Sequence, residues 1–388
     1  MERRPGPTGT IRHYKSPAFA TLLLDTLRAL NVPSWSNPDI VSSDLNIHKV
    51  SGSLTNAVFF VSCPSIRGIH TILLRIYGSS SGSLISRPKE LHTLHLLSSQ
   101  YHIGPRVYGT FDNGRVEEFF DSTTLTASDI RVPKISRWIA ARMAELHSVD
   151  IASVEARATP KTGWYVSAAK NVELWYTPAQ RVLALSTVSD GLRKDLDLNS
   201  FREEWNRYLK WLTTVEDVSV GSRRVFAHND TQYGNLLRLK HLREGRAEHT
   251  QIVVVDFEYA APNPAAFDIA NHFHEWTANY HGDTPHILDV ACYPTLEERY
   301  NFYDAYIRHS YVFKGLSLPS PAELEAQVRN MEQEVRLWSP ASHGMWAIWG
   351  IVQAREDVEE HNENPEFDYL AYARCRMAAF RRDLAQLL

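Results

Sequence analysis

Two short acidic stretches carry the residues best suited to chemistry. His228-Asn229-Asp230-Thr231-Gln232-Tyr233-Gly234-Asn235 places an aspartate five residues before an asparagine. About twenty residues on, the apolar run Ile252-Val253-Val254-Val255 ends in Asp256-Phe257-Glu258. Phosphoryl transfer needs a carboxylate beside the attacking hydroxyl, oxygen ligands for a divalent cation, and positive charge with backbone N–H donors for the phosphates. Asp230 fits the first role, and Asn235 and Asp256 the second. Arg75 and the loop Ser51-Gly52-Ser53-Leu54-Thr55-Asn56 fit the third. His228 reads as a brace for the loop, and Asp268 as a support for it or a helix cap.

Taken singly, each of these residues is ordinary, since aspartates cap turns and helices routinely. Their combination is informative. HxDxxxxN followed by a buried strand ending in Asp is the order of the catalytic loop and metal-binding segment of kinases.

The elements that must position these residues divide the chain in two. Residues 1–15 read as a tail. Ser16-Pro17 opens a helix with Ser as cap and Pro in its first turn. Asn46–Val50, Ala57–Cys63 and Thr71–Tyr77 read as strands, with a flexible Gly/Ser segment at 78–83 after them. Pro88–Ser99 reads as a helix. Arg106–Phe111 and Arg115–Phe120 form a hairpin about Asp112-Asn113-Gly114. After Asp121 the pattern turns helical: Pro133–Ser148, Phe201–Leu212 (capped by Asn199 or Ser200), Ala265–Tyr280, Leu296–Val312, Pro321–Trp338, Ala341–Glu360 and Phe367–Leu387. Pro340 is expected to separate the fifth and sixth of these helices. Residues 152–198 read as a linker with short helices. The expected architecture is α+β, with a small β-rich lobe at 16–120 and a large, mainly helical lobe at 121–388.

Composition narrows the function classes. The 388 residues carry 41 Lys+Arg against 45 Asp+Glu, which gives no sign of a nucleic-acid binder or a polybasic membrane anchor. Cys63, Cys292 and Cys375 are far apart and lack metal-ligand spacing, so a reducing, cytoplasmic setting without a zinc site is expected. Apolar runs are strand-sized, too short to span a membrane.

The motifs together resemble the choline/ethanolamine kinase family. The likeness rests on His228-Asn229-Asp230-x-Gln232-x-Gly234-Asn235, on Asp256-Phe257-Glu258-Tyr259, and on Phe267-Asp268-Ile269-Ala270-Asn271-His272-Phe273-x-Glu275-Trp276. Leu74-Arg75-Ile76-Tyr77-Gly78 and Trp346-x-x-Trp349-x-Ile351-Val352-Gln353-Ala354 belong to the same pattern. The resemblance implies a protein-kinase-like fold and ATP- and Mg2+-dependent phosphorylation of an amino alcohol, commonly by a dimer. It implies that Asp230 is the base, that Asn235 and Asp256 lie near magnesium, and that Gln232 lies near the nucleotide phosphates. Arg75 takes the place that protein kinases give to lysine, with Glu90 as its partner. Glu117, Glu118, Phe119 and Phe120 form the adenine hinge. The family's nucleotide loop usually has two adjacent glycines; here the second is Ser53, which restricts the backbone more.

The acceptor is read from aromatic residues. A quaternary ammonium offers no N–H donor and is recognised by ring faces in a negative field. Trp346 and Trp349 share a helix face, although such pairs often only fill a core. The resemblance sets Trp346, Trp349, Tyr372 and Tyr280 around a trimethylammonium, with Tyr259 beside them and Glu275 adding charge, while Trp276 reads as core. Choline is therefore the expected substrate, with some ethanolamine activity. The competing readings are an ethanolamine kinase, an aminoglycoside-phosphotransferase-like kinase, and a pseudokinase scaffold. Against the last, Asp230, Asn235, Asp256, Arg75 and Glu90 all stand.

Overall fold

The computed structural model describes residues 14–50, 56–77, 87–154, 166–216, 224–242, 244–362 and 365–388. The expected nucleotide loop at 51–55, the side chain of Asn56, the segment at 78–83 and residues 1–13 of the expected tail lie outside these residues. The chain forms two compact units, Met1–Ser122 and Thr123–Leu388.

The first unit is built on an antiparallel sheet. Helix α1 (Pro17–Ala29) starts where the Ser16 hydroxyl accepts the Phe19 N–H. Strands β1 (Asn46–Val50), β2 (Asn56–Ser62) and β3 (Ile72–Tyr77) follow, then α2 (Arg87–Gln100), β4 (Val107–Phe111) and β5 (Gly114–Glu118). The sheet order is β1-β2-β3-β5-β4, which puts β3 at the centre. Strand alternation sends Ile72, Leu74 and Ile76 into a core shared with Phe59, Val61 and Val116 and with Leu23, Leu24 and Leu27 of α1. Arg75 therefore points to the opposite face. Gly114 is required at the hairpin, because a Cβ there would lie 2.4 Å from the Arg75 carbonyl oxygen.

The second unit begins with β6 (Ser122–Thr124) and α3 (Pro133–Leu146), then α4 (Ile151–Val154), α5 (Ser167–Leu183), α6 (Asp190–Asp195) and α7 (Leu198–Val215). The region expected to be a linker thus holds a 17-residue helix, α5, which packs against the longest helix of the unit. Its polar composition and internal Pro178 hide a buried stripe of Val172, Trp175, Ala179 and Val182. Helix α7 is capped by Asp197, whose carboxylate accepts from Asn199 and Ser200 N–H, so those two residues lie inside the helix.

Two ribbons then frame the acidic stretches. Strand β7 (Arg224–Ala227) precedes the first loop and β8 (Leu236–Leu239) follows it; β9 (Ile252–Val254) precedes the second and β10 (Ala261–Pro264) follows it. β8 pairs with β9 and β7 with β10, so both loops are held at both ends and face each other. Helix α8 (Ala265–Glu275) leaves directly from β10 and ends five residues earlier than the expected Tyr280. Helices α9 (Leu296–Phe313), α10 (Pro321–Gln353), α11 (Arg355–Glu359) and α12 (Tyr369–Ala385) complete the unit.

The sequence suggests a break at Pro340, but α10 runs through it for 33 residues. An interior proline costs about 3 kcal/mol. Trp338, Met345, Ile348 and Ile351 on the same helix are fully buried, and each such burial contributes roughly 1.5–3 kcal/mol. Packing therefore outweighs the local rule.

Candidate active site

The first acidic loop owes its shape to side chains from α8. Asn229 sits at φ 67°, a left-handed conformation that asparagine tolerates better than most residues. The Asp268 carboxylate accepts the backbone N–H groups of His228 and Asn229, each at 2.8 Å, and the His147 Nε2 proton at 3.0 Å. Burial would raise the Asp268 pKa, but His147, His228 and these bonds hold it below the usual carboxylate range. Asn271 Nδ2 donates to the Asn229 carbonyl, and His272 Nδ1 donates to the Thr231 carbonyl. The Asn229 side chain donates to the Tyr259 and Ala261 carbonyls and accepts from Asn263, tying the two loops together. Asp268 thus supports the loop as the sequence suggested.

His228 also acts as a brace. Its Nε2 donates to the Val255 carbonyl at 3.0 Å and its Nδ1 accepts from Asp230 N–H, which fixes one neutral tautomer. Burial lowers its pKa. The ring lies 5.0 Å from that of Phe257.

Asp230, Asn235 and Asp256 are brought together. Asn235 Nδ2 donates to both the Asp230 carbonyl and Asp230 Oδ2, at 2.9 Å each. The Asn235 carbonyl accepts from Val255 N–H, next to Asp256. Asp256 is at φ 68°, a second left-handed residue in the same place. Such backbone strain persists where the surroundings over-determine it, typically at working sites. The Asp230 pKa is raised well above the ordinary value, first by burial and then by Glu275, Asp256 and Glu258. The Gln232 side chain accepts from Gly234 N–H within the loop.

Tyr259 joins the second loop to an aromatic wall. Its hydroxyl accepts from Trp349 Nε1 at 2.8 Å. Its ring lies 5.3 Å from Trp346, 6.5 Å from Trp349 and 6.5 Å from Trp175. Trp346 and Trp349 are edge-to-face at 5.1 Å, and Tyr372 lies 6.0 Å from Trp349. Phe367 continues the wall between Tyr372 and Tyr280. Trp276 is apart from this group, buried against Phe273 and His272. The Tyr280 hydroxyl donates to Glu275. The other Glu275 oxygen takes the buried Arg376, which also donates to the Tyr372 hydroxyl. Arg376 was not visible from sequence; its only signal is an arginine four residues after Tyr372, on the same face of α12.

In the first unit, Glu90 is engaged by Arg115 at 2.7 Å and by Arg87 at 2.7 Å. Arg75 lies 3.8 Å from Glu117, which also bonds Arg115. The partner found for Arg75 is thus Glu117, while the expected partner Glu90 is taken by Arg115 and Arg87, and Arg115 joins the two acids in one buried cluster. Arg75 and Arg115 are cross-strand partners, so both guanidinium groups reach Glu117. Burial works against the charge on Arg115, but Glu117 and Glu90 raise its pKa well above the ordinary value. Of the expected hinge, Glu118 N–H donates to the Arg106 carbonyl, Phe119 packs 4.9 Å from Phe60, and the Phe120 carbonyl accepts from Ser122.

The sequence profile of the family described as choline/ethanolamine kinase matches residues 47–381. A choline kinase of Schizosaccharomyces pombe is 36% identical over 368 residues, covering 89% of this chain and 78% of that protein. An ethanolamine kinase of Saccharomyces cerevisiae is 27% identical over 432 residues, covering 96% and 77%. The crystal structure of choline kinase from Cryptosporidium parvum Iowa II is similar at a TM-score of 0.71 and 25% identity, covering 94% and 95%.

Proposed function

Because this chain belongs to the choline/ethanolamine kinase family, we propose that it phosphorylates choline with ATP, giving phosphocholine, the first step of phosphatidylcholine synthesis by the CDP-choline route. The observation that carries this reading is the junction at Tyr259, where a wall of tryptophans and tyrosines meets the loop that bears Asp256 and Glu258.

Asp230 takes the proton of the choline hydroxyl, and Asn235 holds its carboxylate in place. Glu275, Asp256 and Glu258 crowd negative charge around Asp230, and oxygen donors of this kind suit Mg2+. The Asp256 carboxylate and the Asn235 amide oxygen would hold the metal, which when bound neutralises charge on the phosphates. Arg75, Glu90, Gln232, residues 51–56 and residues 117–120 are assigned to ATP in the same proposal. A cytoplasmic homodimer completes it; among the described residues no helix is long and apolar enough to cross a membrane.

Choline is preferred over ethanolamine because the wall offers faces rather than acceptors. The Tyr259 and Tyr372 hydroxyls already accept from Trp349 and Arg376, and the Glu275 carboxylate accepts from Tyr280 and Arg376, which also compensates its charge. A primary ammonium needs acceptors that this wall has already engaged. Comparing kcat/KM for the two alcohols with ATP and Mg2+ tests the assignment, and a preference for ethanolamine overturns it. Asp230→Ala should abolish turnover while ATP binding persists. Retained turnover would remove Asp230 as the base.

A further inference from the structure

A cavity of about 660 Å3 opens in the second unit, and its lining includes neither the acidic-loop residues nor the aromatic wall. That volume is in the range of small-ligand sites. Its lining includes the apolar Leu288, Val290 and Ala379. It also carries Arg299, Arg336 and Arg382 with Glu332 and Asp383. Glu332 is held by Arg299 and Asp383 by Arg382, while Arg336 is exposed.

At its floor two imidazoles lie parallel, His274 and His343, with ring centres 3.7 Å apart at 14°. Their hydrogen bonds reach the catalytic loop. The Ser342 hydroxyl donates to Asn271 Oδ1, which also accepts from Trp346 Nε1, while Asn271 Nδ2 holds the Asn229 carbonyl. The Ser339 hydroxyl donates to Asp383 Oδ2. His274 meets both serines, Nδ1 to Ser342 at 3.1 Å and Nε2 to Ser339 at 2.8 Å. Each serine has one proton, and both are committed. The full network therefore requires both nitrogens of His274 to bear hydrogen, which makes it an imidazolium. Burial, with Arg376 and Arg382 nearby, favours the neutral ring instead. A neutral ring has one bare nitrogen that must accept a hydrogen bond from Ser339 or Ser342, and if the Ser342 hydroxyl turns to it, Asn271 loses a donor. The network thus has one imidazolium arrangement, which keeps Ser342 on Asn271, and two neutral ones, of which one releases Asn271; negative charge in the cavity favours the imidazolium.

We propose that this cavity binds a small anion with an apolar body, and that its occupancy adjusts the catalytic loop through His274, Ser342 and Asn271. The binding claim stands apart from the proposed reaction; the coupling claim rests on it. Decyl phosphate and decanoate, below their micelle concentrations, probe phosphate and carboxylate heads, with decanol as neutral control and inorganic phosphate as head alone. Calorimetry on the full chain should show saturable 1:1 binding of at least one of the two anions, and none of decanol or inorganic phosphate. Arg336→Glu should weaken binding by about tenfold. Ala379→Phe should block it, and if that variant does not fold, the arginine variant decides. With wild-type protein the bound probe should change kcat/KM for choline by about fivefold without competing with either substrate. Ser342→Ala should keep binding and lose the kinetic change. Absent binding, equal binding of decanol, or unchanged binding in Arg336→Glu overturns the site. Binding without a kinetic change, or a change that survives in Ser342→Ala, overturns the coupling. Competition with choline or ATP places the probe in the active site and overturns both.

Discussion

Asp268→Asn is the most direct test of how the loop bearing the proposed base, Asp230, is held. The wild-type carboxylate accepts three buried hydrogen bonds, from His228 N–H, Asn229 N–H and His147 Nε2. The amide is nearly isosteric but has one acceptor oxygen. If that oxygen faces His228 and His147, the Asn229 N–H meets an NH2 group. In the other orientation His147 can change tautomer, since the Tyr306 hydroxyl at its Nδ1 can either donate or accept. The His228 N–H is then left facing the amide nitrogen. Either way one charge-assisted bond is lost outright, the rest weaken, and a buried donor is unsatisfied. Such bonds contribute about 1.5–3 kcal/mol each, so the expected destabilisation is about 2–5 kcal/mol. The loop then relaxes, and a displacement of about 1 Å at a catalytic group costs about 10²-fold in rate. Urea denaturation gives the first number and steady-state kcat the second. KM for ATP should change far less, since Asp268 makes none of the proposed nucleotide contacts. A variant with kcat within about threefold of wild type and stability within about 0.5 kcal/mol would refute the clamp, because a buried acceptor of three bonds cannot be that dispensable.

Other expectations follow from the same geometry. The acid limb of kcat/KM should lie above the ordinary carboxylate range, since burial, Glu275, Asp256 and Glu258 all raise the Asp230 pKa. Activity is lost as pH falls through that value, and Glu258→Gln should move the limb to lower pH. Trp349→Ala should raise KM for choline by about tenfold or more, as a desolvated cation–π contact contributes about 2 kcal/mol. An unchanged KM removes Trp349 from the acceptor site. Burial and Glu334 push Glu216 up to about 7, although the Trp338 N–H bond to it works in the opposite sense. A raised carboxyl pKa favours folding at low pH, and that contribution is lost as pH rises from 4.5 to about 7. Glu216→Gln should therefore stabilise the protein at pH 8 by up to about 3 kcal/mol and change little at pH 4, read from denaturation midpoints.

What the sequence revealed was local. Asp230 and Asn235 share one loop, and Asp256 ends the strand after it, so their spacing alone implies proximity. Of the residues that hold them, Asp268 was legible as a support, but Asn271 and His272 do not announce themselves, because they meet the loop only once β7 pairs with β10 and delivers α8 beneath it. His147 arrives from still further away in the chain. Arg376 is invisible for the same reason, since its partner Glu275 lies on another helix. At Pro340 a local rule fails because the burial of one helix exceeds the cost of one lost N–H bond. Helix α5 is obscured by its polar surface, and the partners of Glu90 by the cross-strand register that sets Arg115 beside Arg75.

Trp346 belongs to two structures at once. Its ring lines the aromatic wall, while its Nε1 donates to Asn271, which holds the backbone carbonyl of Asn229. Among the described bonds Trp349 and Tyr372 make no direct bond to a residue of α8 that holds the loop: Trp349 ends on the Tyr259 hydroxyl, one residue further from Asn229, and Tyr372 on Arg376. Acceptor preference is therefore separable from transfer chemistry at some wall positions and fused to it at one. Redesign toward bulkier or less alkylated amines should begin at Trp349 and Tyr372. Lineages that drift in substrate preference should change those rings before Trp346, where every altered contact also retunes the loop that carries the proposed base.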